Sequence, residues 1–302
     1  MDNIFKRTSS HWVKYSDYDL VQSDDGTLYV MPADNATVKI FDPLENSEQM
    51  VIDALNVGLT CMSKSSTYED IAGAVFGFVS EYGLLGLMTS LTTTPKFMDY
   101  DAVYLIKNQF IKEEAMSTED YIEIFFPFDV PEIVKNKDAV SFNVSGDNDM
   151  MALAMTMSNR PMAVNMEFQR SYAERYDWLV KQFKDWAFTF VTSTLYYKDH
   201  DKLDETTKDV YRQAMACFDG ISPSYHIELL DKPTIVWDFQ SLALAIQMMF
   251  SFMLANEQNP LKICKHCNKV FKANRSKAVF CSPQCKNRYN VYKSRAKNKD
   301  HE

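Results

Sequence analysis

Glycine is scarce in this chain, with eight among 302 residues. That scarcity leaves no Gly-rich loop to cradle a phosphate, and "GLLG" at Gly83 to Gly86 has neither the spacing nor the strand context of a nucleotide-binding fingerprint. An apolar run long enough to span a bilayer is also lacking. Leu242 to Ala255, "LALAIQMMFSFMLA", would reach only ~21 Å as a helix against a hydrocarbon core of ~30 Å, and Gln247 and Ser251 interrupt it. It reads as a buried central helix, and no membrane partner is expected. The opening "MDNIFKRTSSHW" has no apolar segment of the kind a secretory signal needs. A cytoplasmic location is expected, where disulfides do not persist.

Cysteine is also sparse, six in all, but four are concentrated near the C-terminal end. Cys264 and Cys267 in "CKHC" and Cys281 and Cys285 in "FCSPQC" form two close pairs, the pattern that lets thiolates from two short turns close a tetrahedron around one Zn²⁺. Zinc is therefore the expected cofactor and these four its ligands. The stretch between the pairs can hold a short hairpin. Ser282 can cap a helix with Pro283 at its first position, so knuckle, hairpin and helix suggest a treble-clef-like finger. His266 reads as an exposed loop residue and His301 as part of a frayed tail. Cys61 and Cys217 stand in apolar helical contexts and read as packed core thiols.

Charge divides the chain in the same place. From Pro260 onward there are 12 Lys and Arg against 2 acidic residues, which leaves 20 basic and 39 acidic residues before it. A basic module on an acidic body is the electrostatic footprint of a polyanion partner, nucleic acid above all. On a helix beginning at Pro283, Cys285, Tyr289, Tyr292 and Ala296 would face the zinc. Lys286, Lys293 and Lys297 would then form one exposed row, and Arg288, Arg295 and Lys299 another. Arg275 and Lys277, placed in the hairpin, extend the patch. Such a surface neutralises phosphates without reading bases, so low sequence specificity toward DNA or RNA is expected.

The remaining residues, 1–257, read as a mixed and mainly helical body, with 258–302 as the basic finger module. At 46% hydrophobic and 13% aromatic residues, the composition is ample for a packed core. "YDLVQ" and "TLYVMP" flank the turn signal "SDDG" and predict a hairpin, with "TVKIF" as a further strand. Helices are expected from Ser47 to a cap at Gly58, from a capping box at Ser66 and Glu69 to Gly83, and from Ser117 to before Pro127. A long helix placing Tyr172, Tyr176, Leu179, Phe183, Trp186 and Phe190 on one face should bury that aromatic stripe. Met150, Met151, Met155, Met157, Met162 and Met166 mark a flexible lid, an adaptable apolar contact or gap-filling core. The fold class is thus α+β: a mostly helical body, a small N-terminal hairpin or sheet, and the C-terminal finger. The short link "NEQNPLKI" favours a finger docked on the body.

The run "PTIVWDFQSLALAIQMMFSFMLANEQNPLKICKHCNKVF", followed by "FCSPQCKNRYNVYKSR", resembles bacterial proteins that end in a CGNR-type zinc finger. The resemblance covers roughly the last seventy residues. Asn287 and Arg288 match the signature, whereas Lys286 stands where the family has glycine. The resemblance implies a nucleic-acid-binding or transcription-regulatory role, and the expected protein is non-catalytic. Two alternatives remain open at the level of sequence. In one, the finger is purely structural and the acidic body binds a protein partner. In the other, the chain is a metal-dependent nuclease using Asp199, His200, Asp201 and Asp204, or Asp129, Glu132 and Lys135.

Overall fold

The computed structural model describes Thr8, Arg170, Phe218 and residues 12–88, 103–104, 109–128, 172–216, 223–239, 241–275 and 277–299. The architecture is α+β, with seven α-helices and small antiparallel sheets among these residues. The methionine-rich segment, Asp129, Glu132, Lys135, Cys217 and His301 lie outside the described residues. No described helix is long and apolar enough to cross a membrane.

The chain divides into two compact units. The first comprises Met1–Asn46, Val75–Leu179 and Ile221–Ala245. In it β2 (Tyr18–Gln22) and β3 (Leu28–Pro32) form the expected hairpin around "SDDG", where Gly26 takes a positive φ of 87°. The further strand does not join it. β4 (Val38–Phe41) pairs instead with β1 (Trp12–Tyr15), while the third strand on the hairpin is β7 (Glu174–Arg175), far away in sequence. Two further short strands, β5 (Val103–Tyr104) and β6 (Ala115–Met116), pair antiparallel, and helix α3 (Thr118–Phe125) begins as expected, with the Ser117 hydroxyl accepting from the Asp120 N–H at 3.0 Å. Its Phe125 stacks on Tyr172 with ring centroids 4.4 Å apart.

Around this aromatic core runs the turn Gly83–Met88. Gly83, at φ 86°, ends α2 (Tyr68–Tyr82), and a Cβ there would sit 2.3 Å from the Val13 carbonyl oxygen, so only glycine fits. The Trp12 indole N–H donates to the Leu84 carbonyl at 2.9 Å. Glu174 is buried and accepts from the backbone N–H groups of Leu85 and Leu87 at 2.7 and 2.6 Å and from the Tyr172 hydroxyl at 2.7 Å. The backbone N–H groups of Leu85, within "GLLG", and of Leu87, just after it, are thus taken up by the protein's own carboxyl group. Burial pushes the Glu174 carboxyl up to about 7, even though the donors from Leu87, Tyr172 and Leu85 oppose the rise.

The second unit comprises Ser47–Ala74, Val180–Gly220 and Ile246–Glu302. Helix α1 (Ser47–Met62) runs past the expected stop, and Gly58 sits within it. Its role is close approach: a Cβ at Gly58 would lie 2.1 Å from the Phe183 carbonyl oxygen and 2.6 Å from the Ala187 Cβ. Those residues belong to α4 (Tyr176–Asp199). α4 starts later than the aromatic periodicity suggests, because Tyr172 precedes it and Glu174 and Arg175 are spent on β7. The stripe Tyr172, Tyr176, Leu179, Phe183, Trp186 and Phe190 is buried throughout, as expected. The capping box of α2 is shifted by one residue. The Thr67 hydroxyl accepts from the Asp70 N–H, and the Asp70 carboxylate accepts from the Thr67 N–H at 2.8 Å. Short helix α5 (Glu205–Ala216) follows a single 3₁₀ turn at His200–Lys202. Helix α6 (Leu242–Leu254) carries the apolar run, and its Phe250 is buried against Phe218.

Candidate metal centre and basic helix

Four sulfurs meet where the spacing predicts. Strand β10 (Leu261–Ile263) runs into Cys264, the chain reverses through Lys265–Asn268, and β11 (Val270–Lys272) returns antiparallel. The first cysteine pair is thus the turn of the hairpin, where the sequence had placed the hairpin between the pairs. Asn268 holds a left-handed φ of 56°, which its short amide side chain tolerates better than most. Its N–H donates to the Cys264 carbonyl at 3.0 Å, and the Cys264 N–H donates to the Lys269 carbonyl at 2.9 Å. This tight knuckle fixes the two thiols on one side.

The second pair arrives on helix α7 (Pro283–Lys299). Ser282 caps it, its hydroxyl accepting from the Cys285 N–H at 3.2 Å, and Pro283 occupies the first helical position, where it forfeits no hydrogen bond. All four Sγ atoms lie within 4.8 Å of one another, with Cys267 to Cys281 at 3.7 Å and Cys281 to Cys285 at 3.4 Å. Bonds of ~2.3 Å to a tetrahedral ion would put sulfurs ~3.8 Å apart. The donor set and its spacing fit such an ion, whereas a disulfide needs ~2.05 Å, and the four cysteines are free. Cys264 is buried and Cys281 exposed, so the cluster opens to water on one side.

The thiols are not equivalent. Burial disfavours the Cys264 thiolate, but N–H groups of Cys267, Cys281 and His266 turned toward it outweigh that and bring it down to about 6. Burial and the neighbouring sulfurs push Cys281 up to about 12, and burial raises Cys267. One thiolate is thus prepared by the backbone, whereas Cys267 and Cys281 are held back from ionising beside it and would be helped to do so by a cation.

The hairpin of this module packs on α1. The Val270 N–H donates to the Asn56 side-chain oxygen at 2.7 Å, and the Asn56 amide nitrogen reaches the Val270 carbonyl at 3.5 Å. Lys272 pairs with Glu48. Leu261, Val270 and Ala273 are buried. Helix α7, in contrast, exposes Lys286, Arg288, Lys293 and Arg295. Arg275 and Lys277 are exposed too, though they sit in the turn after β11 and not in the hairpin. The side chain of Lys297 lies outside the described residues. Tyr289 is half-buried on Phe280, with centroids 5.2 Å apart. His266 is half-buried as well, its ring lying on Tyr292, which differs from the exposed loop residue expected.

No protein-family model, curated protein or solved structure matches this chain. The acidic residues considered for catalysis have ordinary local roles where they are described. Asp204 accepts from the Thr207 N–H at 2.8 Å at the start of α5, and His200 and Asp201 lie on the exposed 3₁₀ turn. Among the described residues the cysteines form the one group of metal-ligating side chains that converges. Asn56 and the His266–Tyr292 pair were not foreseen. A polar residue in the middle of an amphipathic helix is the sequence signal that could have pointed to Asn56.

Proposed function

We propose that Cys264, Cys267, Cys281 and Cys285 hold one Zn²⁺, that residues 258–302 are a treble-clef-like finger related to the CGNR type, and that this finger binds nucleic acid without catalysis. Zinc in such a site supplies folding free energy, because so short a segment buries too little apolar surface to hold itself. The observation that carries the reading is the placement of the four sulfurs at the start of a helix whose Lys286, Arg288, Lys293 and Arg295 are exposed. Those side chains would neutralise phosphates and release counterions, giving affinity that falls steeply with salt and little sequence preference. A regulatory role in a bacterial cytoplasm follows the same resemblance.

A second reading draws on the packing of Val270 and Lys272 against α1. There the finger closes the second unit, and a protein partner binds the acidic part of the chain. Titrating the full-length, metal-loaded protein with a labelled duplex and a labelled single strand over a salt series separates the two. The nucleic-acid reading expects binding whose log–log salt slope falls by about one for each of Arg288→Glu and Lys293→Glu. Absence of binding at low salt, or full affinity with an unchanged slope in both variants, overturns it in favour of the structural finger.

A further inference from the structure

Tyr292 is an anomaly on α7. The residue keeps 60% of its surface open to water, yet its ring is held: His266, from the knuckle between the first two cysteines, lies nearly parallel to it with ring centroids 5.8 Å apart and planes 22° apart. Tyr289, one turn earlier, is instead turned onto Phe280 and serves the packing of the module. An exposed phenol ring steadied by an offset neighbour leaves apolar surface open to a flat partner. Helical register supplies the charge. Arg288, Tyr292 and Arg295 follow one another at steps of four and three, so the ring sits on one stripe between two exposed guanidinium groups.

We propose that this stripe takes single-stranded nucleic acid, an unpaired base stacking on Tyr292 while Arg288 and Arg295 hold the flanking phosphates. The proposal rests on the nucleic-acid reading above and adds strandedness to it. Base faces in a duplex are covered by their neighbours, and Tyr292 could not reach them. In a single strand every base has a free π face, which is why aromatic rings along a basic track select unpaired strands without selecting sequence. The basic excess from Pro260 onward gives the charge complementarity that such a track requires.

The test uses the full-length, metal-loaded protein and three labelled probes of one sequence at one salt concentration: single-stranded DNA, single-stranded RNA and the DNA duplex. Both single strands, or one of them, should bind about tenfold more tightly than the duplex. Preference for DNA or for RNA then identifies the source of the strand. Tyr292→Ala should cost the single strand about tenfold and leave the duplex unchanged, while Tyr292→Phe retains the ring and the affinity. Equal affinity for single strand and duplex, or a Tyr292→Ala effect that is absent or the same on both, overturns the inference. If Arg288→Glu still weakens binding in that case, the parent reading stands alone; if no probe binds, both fall.

Discussion

Glu174 should reverse the usual relation between a carboxylate and pH, and replacing it by Gln should remove that dependence. Burial holds Glu174 near 7 against an ordinary value of 4.5, so the folded protein binds this proton more tightly than the unfolded chain does. Stability then falls as pH rises through the window between those values, and the loss is complete above about 7. Over the full window the difference corresponds to ~3 kcal/mol at ~1.36 kcal/mol per unit. Between pH 5.5 and 8, where a thiolate–metal site survives, ~2 kcal/mol of it should be visible. The amide of Glu174→Gln cannot titrate. It also turns an N–H₂ toward backbone donors from Leu85 or Leu87, which costs about 1–3 kcal/mol at every pH. The quantity to measure is therefore the stability of wild type minus that of the variant, from urea unfolding at several pH values, because titrations elsewhere cancel in the difference. It should shrink as pH rises. A difference that is flat, or that grows with pH, would mean that the three donors outweigh burial and that Glu174 stays ionised as a built-in anion.

Two other perturbations test the packing and the metal site. Gly58→Ala pushes a methyl group into the Phe183 carbonyl and should cost about 1–3 kcal/mol in thermal unfolding, whereas Gly73→Ala, with nothing within 4 Å of the new Cβ, should stabilise α2 by about 0.5–1 kcal/mol; equal effects would refute the close approach of α1 and α4. Metal analysis of the purified protein should return one equivalent of zinc per chain, and Cys281→Ser should release it, while unchanged zinc content in that variant would remove Cys281 from the ligand set.

The legible parts of this molecule were the ones written in local chemistry. Four thiols at two short spacings, Ser282 before Pro283, and the turn at Ser23 to Gly26 each specify a backbone shape by themselves, and each is found. The aromatic stripe from Tyr172 to Phe190 reported burial well, because hydrophobic periodicity reflects what is inside. It misplaced the helix start, because β7 interrupts the pattern through a partner strand, β3, that is remote in sequence. Gly58 differs from the sequence expectation for a similar reason. A helix-ending glycine and a helix-packing glycine look the same until the carbonyl of Phe183 is known to lie opposite. Hairpin β8–β9 (Ser224–Leu229 and Pro233–Asp238) was not among the expectations, although its register is regular.

The Asn56 side chain has an effect on β11 beyond attachment. Val270 faces Ile263 across the hairpin, but its own N–H and carbonyl turn away from β10 and toward α1. Such outward groups on a border strand are a template on which a second chain can lengthen the sheet. One amide group occupies the pair that an incoming strand would use, and Lys272, two residues on, places a charge along the same border. The short ribbon behaves as though a third strand were already laid beside it, so copies of this chain brought close together would not be invited to join through β11.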